Sequence, residues 1–404
     1  LNEALRTWRY FGKAMIVFLL LALAFVYAMF EGGFVSWFLF YSFLPLAVYS
    51  VCIAIYPIKT WRVERTFKKG HYLSGDTLNV IVTIKRRVPF PLLYLVIEDH
   101  VSNSLLKHNK KETIKTVLFP WFRRHITYEY HMGKLLRGEH VFSAVRIKTG
   151  DVFGFIEKER ICPIEQSVIV YPSYEKMAYV RLENRFEQGG ASSRTKIERD
   201  TTMAVGVRDY QAGDRFSWID WKATARKNAI MTKEFELQQS YDVVMFLDRT
   251  PSHQFESSVK FATSIAKAVL KTGARLGYVS SGEERFYLPL RGGQEQDQRL
   301  YYHFAKVQDN AEKDFATLLE AEVGKWPITT MFIIILSSLD YSYLKITDKL
   351  TARYRNIIIF IAKTDRSRVS SHEQEVADAF NKKGIYTKFV YENKFYAAFQ
   401  GGTK

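Results

Sequence analysis

Two uninterrupted apolar runs open the chain. Ala14 to Phe30 carries no charge, and after a Glu31-Gly32-Gly33 turn Phe34 to Tyr56 is again charge-free. At about 1.5 Å of rise per residue, about 20 apolar residues cross a bilayer. The second run meets that length; the first is at the short end and would borrow Tyr10 and Phe11. Pro45, inside the second run, is tolerated in a membrane helix whose neighbours satisfy the freed carbonyl. The pattern predicts a two-helix transmembrane hairpin, with spans about 12–30 and 34–56, forming an anchor over residues 1–59. The competing reading is a cleaved signal peptide followed by a buried core helix. Ala28-Met29-Phe30 is a poor cleavage site, and the second run is too long and uniform for a soluble core.

Beyond Thr60 the apolar positions alternate over short stretches. Thr77 to Ile84, Arg123 to Tyr130, His140 to Ile147 and Ser167 to Tyr171 read as strands separated by Gly, Asp and Pro signals. An antiparallel β-sandwich domain is expected over 60–176. Residues 177–202, polar and containing Gln188-Gly189-Gly190-Ala191-Ser192-Ser193, read as a linker. From about Tyr241 strand and helix alternate. DVVMFL (242–247), MFIIIL (331–336) and NIIIFIA (356–362) are continuous apolar runs, the mark of parallel strands covered on both faces. His253 to Lys271 has helical apolar spacing, and further helices are expected around 294–323 and 373–383. The predicted fold of 203–404 is a doubly wound α/β domain.

Composition narrows the classes. With 47% hydrophobic and 15% aromatic residues among 404, the chain is not a disordered protein. Cys52 and Cys162 cannot build a disulfide framework, which fits a reducing compartment. The first residue is Leu1, so a missing or altered natural start is expected. The net charge of +16 suits an anionic membrane surface or a nucleic acid, but no RNP-type aromatic motif or helix-turn-helix signal supports the latter. Arg6, Arg9 and Lys13 precede the first span and Lys59, Arg62 and Arg65 follow the second, while Glu31 alone sits between. The positive-inside rule places both ends, and the bulk of a multi-pass protein, in the cytoplasm.

Motifs for common chemistry are absent: no P-loop, no G-x-S-x-G elbow, no H-E-x-x-H, and no histidines at metal-ligand spacing. Two features remain. Asp248, Thr250 and Ser252 follow a predicted strand at i, i+2 and i+4, where oxygens can converge on a hard cation such as Mg2+. The alternative is that Ser252 caps the next helix and Asp248 bonds its own turn. The second feature is a charge-rich segment holding Arg208, Asp209, Tyr210, Gly213, Asp214, Arg215, Trp221, Lys222, Arg226, Lys233 and Glu234. Asp214 is expected to cap a helix whose Trp218, Trp221 and Ala225 share a face. The segment reads either as a salt-bridged clasp or as a docking surface for a partner.

That segment resembles the signature of the DUF58 family, a G-D-x-x-x-x-I-x-W-K-x-S/T-A-R core followed by K-E-F-E. Gly213, Asp214, Ile219, Trp221, Lys222, Thr224, Ala225 and Arg226 match; Ser217 stands where members often carry arginine. A Gly-Asp-x-Phe-Gly element at Gly150 to Gly154 and Val170-Tyr171-Pro172 extend the resemblance across most of the chain. The resemblance implies a von Willebrand factor type A-like domain, whose D-x-S-x-S ion site the Asp248 loop is similar to. It also implies MoxR-type AAA+ ATPases and transglutaminase-like membrane proteins as partners. The function expected is therefore a non-enzymatic membrane-anchored adaptor without cofactor. The runner-up is a divalent-metal-dependent binder or enzyme using the Asp248 loop.

Overall fold

The computed structural model describes residues 2–101, 114–179, 204–211, 214, 216–235, 242–283, 285–311, 314–322, 324–354, 356–364 and 369–399. Most of the expected linker, together with Gly213 and Arg215, lies outside them. The chain divides into two compact units, Leu1–Ser173 with Tyr302–Val307, and Tyr174–Tyr301 with Gln308–Lys404.

The first unit begins with helices α1 (Asn2–Glu31) and α2 (Phe34–Ile55). Gly32 makes the turn at φ +60°, a conformation an L side chain rarely adopts. The helices pack through Phe25 against Trp37 and Phe40, with ring centroids 6.3 and 5.5 Å apart. Their other faces stay apolar and uncovered, from Phe18 and Leu23 to Phe30, Phe34 and Val35. Helix α2, with mean hydropathy 2.1, is long and apolar enough to cross a membrane; Met15–Glu31 of α1 is a shorter apolar stretch. One or both can anchor the chain in a bilayer.

Two sheets follow. β1 (Arg62–Phe67), β3 (Leu78–Lys85) and β6 (His125–Met132) form an antiparallel sheet in the order β1-β3-β6. The second runs β2-β8-β7-β4-β5, from β2 (Tyr72–Leu73), β4 (Leu95–Val101), β5 (Ile114–Leu118), β7 (Gly138–Gly150) and β8 (Glu157–Tyr171). Its pairings are antiparallel except β2 with β8, which run parallel. The period-two pattern buries Leu78, Val80, Val82 and Ile84 of β3, and they share one hydrophobic cluster with Leu95, Ile97, Phe142, Val145 and Ile147 of the other sheet. Within that core Arg65 on β1 grips Asp99 on β4 with two bonds of 2.6 and 3.1 Å, and the Tyr130 hydroxyl donates to Asp99 at 2.6 Å. Burial, then the Asp99 charge, push the Tyr130 phenol far above its ordinary value.

In the second unit β9 (Ala204–Asp209) and β10 (Met231–Phe235) form a ribbon around α3 (Trp221–Lys227). A six-stranded sheet then assembles from β11 (Val243–Leu247), β12 (Leu276–Ser281), β13 (Arg285–Arg291), β14 (Met331–Leu336), β15 (Ile357–Lys363) and β16 (Tyr386–Tyr391). Its order is β13-β12-β11-β14-β15-β16, parallel except for the hairpin edge β13. Helices α4 (Phe255–Lys271), α5 (Gln294–Lys306), α6 (Phe315–Glu322), α7 (Leu344–Arg353) and α8 (Ser371–Lys382) connect the strands. The continuous apolar runs of β11, β14 and β15 are buried at every position, as strands covered on both faces require. Phe261 of α4 meets Phe360 edge-on at 5.0 Å, locking the helix to the sheet.

Candidate functional site

The signature segment organises itself around short-range polar ties. Asp214 accepts from the Arg208 guanidinium at 2.8 Å and from the Gln211 N–H at 3.1 Å. Those bonds, Arg208 first, hold its carboxyl below the ordinary aspartate range. Asp214 therefore folds the loop after β9 and caps no helix. The expected cap at that position is corrected: Asp220 is the N-cap of α3 and accepts from Ala223 N–H at 3.0 Å. Trp218 lies on a separate 3-10 turn, Phe216–Trp218, so it shares no helix with Trp221. Two bonds fasten α3 to the ribbon. Asp220 N–H donates to the Met231 carbonyl at 2.8 Å, and Thr224 Oγ1 accepts from Met231 N–H at 3.0 Å. Ile219 is buried and bridges Thr232.

The remaining signature residues turn outward. Trp221 is 69% exposed and Phe216 78%. Lys222, Ala225 and Arg226 are exposed beside them, as are Asp209 and Ile230. Tyr210 is half-buried and stacks near Phe216, with centroids 6.4 Å apart. Lys233 is half-buried on β10, where it pairs with Val207, and Glu234 pairs with Gly206. The segment is thus both a clasp and a face. Arg208, Asp214, Asp220 and Thr224 build it; Trp221, Lys222 and Arg226 are what it presents.

The Asp248 loop is built the opposite way. Asp248 follows β11, extends its pairing through N–H to the Ile335 carbonyl at 3.0 Å, and is buried. Its Oδ1 accepts from the N–H and hydroxyl of Thr250 at 2.9 and 2.6 Å, a local turn. Burial raises the carboxyl above its ordinary value, against the lowering bonds from Thr250 and the Ser337 N–H. Ser252 Oγ accepts from Gln254 N–H at 3.2 Å, one residue short of α4, so it caps the turn rather than the helix. Arg249, also buried, donates to the Gln308 carbonyl at 2.8 Å and to Asn310 Oδ1. Its guanidinium lies so close over Gly282 that a Cβ there would meet it at 2.3 Å. The sheet brings the Ser337 loop beside Asp248, because β14 neighbours β11; Asp340, farther along, caps the next 3-10 turn through Tyr341 N–H. Among the described residues no three Asp, Glu, His or Cys side chains converge as metal ligands.

Sequence reasoning missed Asp220 and Arg249. An aspartate directly before Trp221 and a lone arginine inside the Asp248 loop carried the signal, but the first was read only as one of several alternating charges and the second was given no role.

Comparison with known proteins finds the model of the "protein of unknown function DUF58" over residues 206–367. The uncharacterized protein YeaD of Bacillus subtilis (strain 168) is 35% identical over 386 residues, covering 95% of this chain and 96% of that one. Among solved structures, the β-glucosidase EmGH1 of Erythrobacter marinus matches at 14% identity and TM-score 0.16, covering 26% of this chain and 15% of that one. Cwp6 of Clostridium difficile matches at 10% identity and TM-score 0.16, covering 81% and 37%. Likenesses that weak bear on neither fold nor activity. The signature laid out in β9, α3 and β10 and the near full-length relative lead to one conclusion: the chain belongs to the DUF58 family.

Proposed function

We propose that the protein is a non-enzymatic membrane adaptor whose signature segment docks a MoxR-type AAA+ ATPase, with transglutaminase-like membrane proteins as further partners. The observation that carries this reading is the outward Trp221, flanked by Lys222 and Arg226 on a helix whose own capping and anchoring bonds are already made. Exposed tryptophan and arginine on a rigid element are the residue types that dominate interface energetics. The α1–α2 hairpin crosses the bilayer twice, and the basic residues outside it keep both ends cytoplasmic. The strand order of the six-stranded sheet, with its antiparallel hairpin edge, supports a likeness to von Willebrand factor type A domains, which are binding modules.

The test is co-purification from native membranes after mild crosslinking. Lys222→Glu should abolish recovery of the ATPase while thermal unfolding stays unchanged, since exposed charges shift stability by less than about 0.5 kcal/mol. Recovery equal to the parent chain, or no AAA+ protein in either sample, would sink the proposal.

A further inference from the structure

The register of the first unit gathers three loops at one end. Arg62, the first residue of β1 after the apolar helices, pairs with Lys85 at the end of β3, and Lys85 pairs with His125 at the start of β6. In the other sheet Leu95 pairs with Leu118, and Gly150 with Glu157. Loops 86–94, 119–124 and 151–156 therefore all lie at the end where α2 delivers the chain. Loops 86–94 and 151–156 also hold α2 and its C-cap Tyr56, and loop 119–124 is tied to loop 86–94 through the Leu92–Trp121 bridge. The Tyr49 hydroxyl donates to the Pro91 carbonyl at 3.1 Å and the Tyr56 hydroxyl to that of Val88 at 2.7 Å. Phe90 stacks against both rings, at 5.8 and 5.0 Å. Ser50 Oγ donates to the buried Asp151 carboxylate at 2.9 Å.

The Gly-Asp-x-Phe-Gly element explains itself here. A Cβ on Gly150 would meet the Tyr94 hydroxyl at 2.4 Å and the Ile156 carbonyl at 2.6 Å, and Gly154 sits at φ +72°. Between them Asp151 takes Ser50 and the Ile156 N–H, and Val152 and Phe153 point out, Phe153 52% exposed. The neighbouring loop exposes Phe119, Trp121 and Phe122, at 68, 55 and 61%. Trp121 is held at φ +47°, a costly conformation for a bulky residue. The buried Arg86 maintains it by donating to the carbonyls of Trp121 and Phe90 at 2.8 and 3.0 Å, and to that of Arg123. The exposed charges of the three loops are all arginine: Arg87, Arg123 and Arg124.

Length decides what covers this rim. The part of α2 before the clasp, Phe34 to Val48, is about 22 Å long, short of a hydrocarbon core of about 30 Å. If α2 spans, the turn carrying Tyr49 and Ser50 must enter the bilayer boundary, and the loops bonded to it go along. This rests on the membrane-anchor reading. We infer that the three loops form a rim seated in the headgroup layer, with Phe119, Trp121, Phe122 and Phe153 among the acyl-chain tops and Arg87, Arg123 and Arg124 paired with anionic lipid phosphates. Aromatic belts and basic residues at this depth are what the interface favours.

The full chain, with Cys52→Ser and Cys162→Ala, takes an environment-sensitive fluorophore at single cysteines: Phe38→Cys in α2, Phe122→Cys and Phe153→Cys on the rim, or Leu136→Cys in the loop at the opposite end of the strands. Each is placed in nanodiscs of phosphatidylcholine and phosphatidylglycerol doped with a shallow spin-labelled lipid. The expected result is strong quenching at Phe38→Cys, Phe122→Cys and Phe153→Cys and none at Leu136→Cys, with rim quenching weakened by omitting phosphatidylglycerol or by Arg123→Gln with Arg124→Gln. Quenching at Phe38→Cys without quenching on the rim overturns the inference and leaves the anchor standing, as a rim covered by protein would give. Rim quenching indifferent to phosphatidylglycerol overturns the phosphate pairing. No quenching at Phe38→Cys removes the anchor, and the rim with it.

Discussion

Asp214 and Asp248 belong to one unit and experience opposite surroundings. Asp214 sits in the loop after β9, and a guanidinium and an N–H draw its carboxyl down. Asp248 ends a buried strand, and loss of water pushes its carboxyl up even though Thr250 satisfies it. The difference shows what residue spacing measures. Positions 248, 250 and 252 define a reach, but the side chains spend that reach on one another and on nearby N–H groups. The signature residues look like a scatter of charges, yet their bonds leave a defined set facing outward.

The contrast can be broken most sharply by stability. Asp248→Ala removes the acceptor of the Thr250 donors and of the buried Ser337 N–H, and should cost about 1–3 kcal/mol. Trp221→Ala should stay within about 0.5 kcal/mol in the same thermal or urea melts. A reversed order would mean that Trp221 is packed and the signature is only a clasp.

Acid titration of unfolding separates the two carboxylates by sign. Asp248 has a folded pKa above its unfolded one, so the folded state binds the extra proton and stability falls as pH rises through the window above the ordinary aspartate range. Asp214 is depressed, so its contribution is present above that range and is lost as pH drops below it. Asp248→Asn should flatten the upper limb and Asp214→Asn the lower, smaller one. An unchanged upper limb in Asp248→Asn would refute the burial argument.

The smallest expected effect is with magnesium. Calorimetry on the full chain in detergent should give no micromolar site, because Thr250 and Ser252 are committed to the turn and Arg249 lies beside them. A micromolar site abolished by Asp248→Ala would reverse the reading and favour a metal-dependent protein.

The broad plan was legible because hydrophobic period reports burial. The alternation of β3 and the continuous runs of β11, β14 and β15 are each a direct image of which faces are buried, and the helix pair was legible as two long uncharged apolar runs. What failed to show has physical causes. β8 is far longer than Ser167 to Tyr171, because its first half is polar and contains Pro163. The sheet accommodates that proline opposite an irregularity between Phe142 and Ala144. The helical region expected around 294–323 holds α5 and α6, and its periodicity did not mark the stretch between them, whose Gln308 and Asn310 receive Arg249. A long-range tie of that kind leaves no periodic trace. At the site, outward residues were legible as types; which aspartate caps α3 was decided by bonds to Met231 across the ribbon.

The Arg65–Asp99 pair has a kinetic meaning. It joins β1 of one sheet to β4 of the other, with both side chains essentially without solvent. Parting the sheets while they stay dry would strand two ions in a low-dielectric medium, a state several kcal/mol uphill. Separation must therefore admit water along the whole interior at once. The sheets should open as a single cooperative event, with the amides of β1 and β4 exchanging hydrogen at one shared, slow rate rather than peeling from an edge.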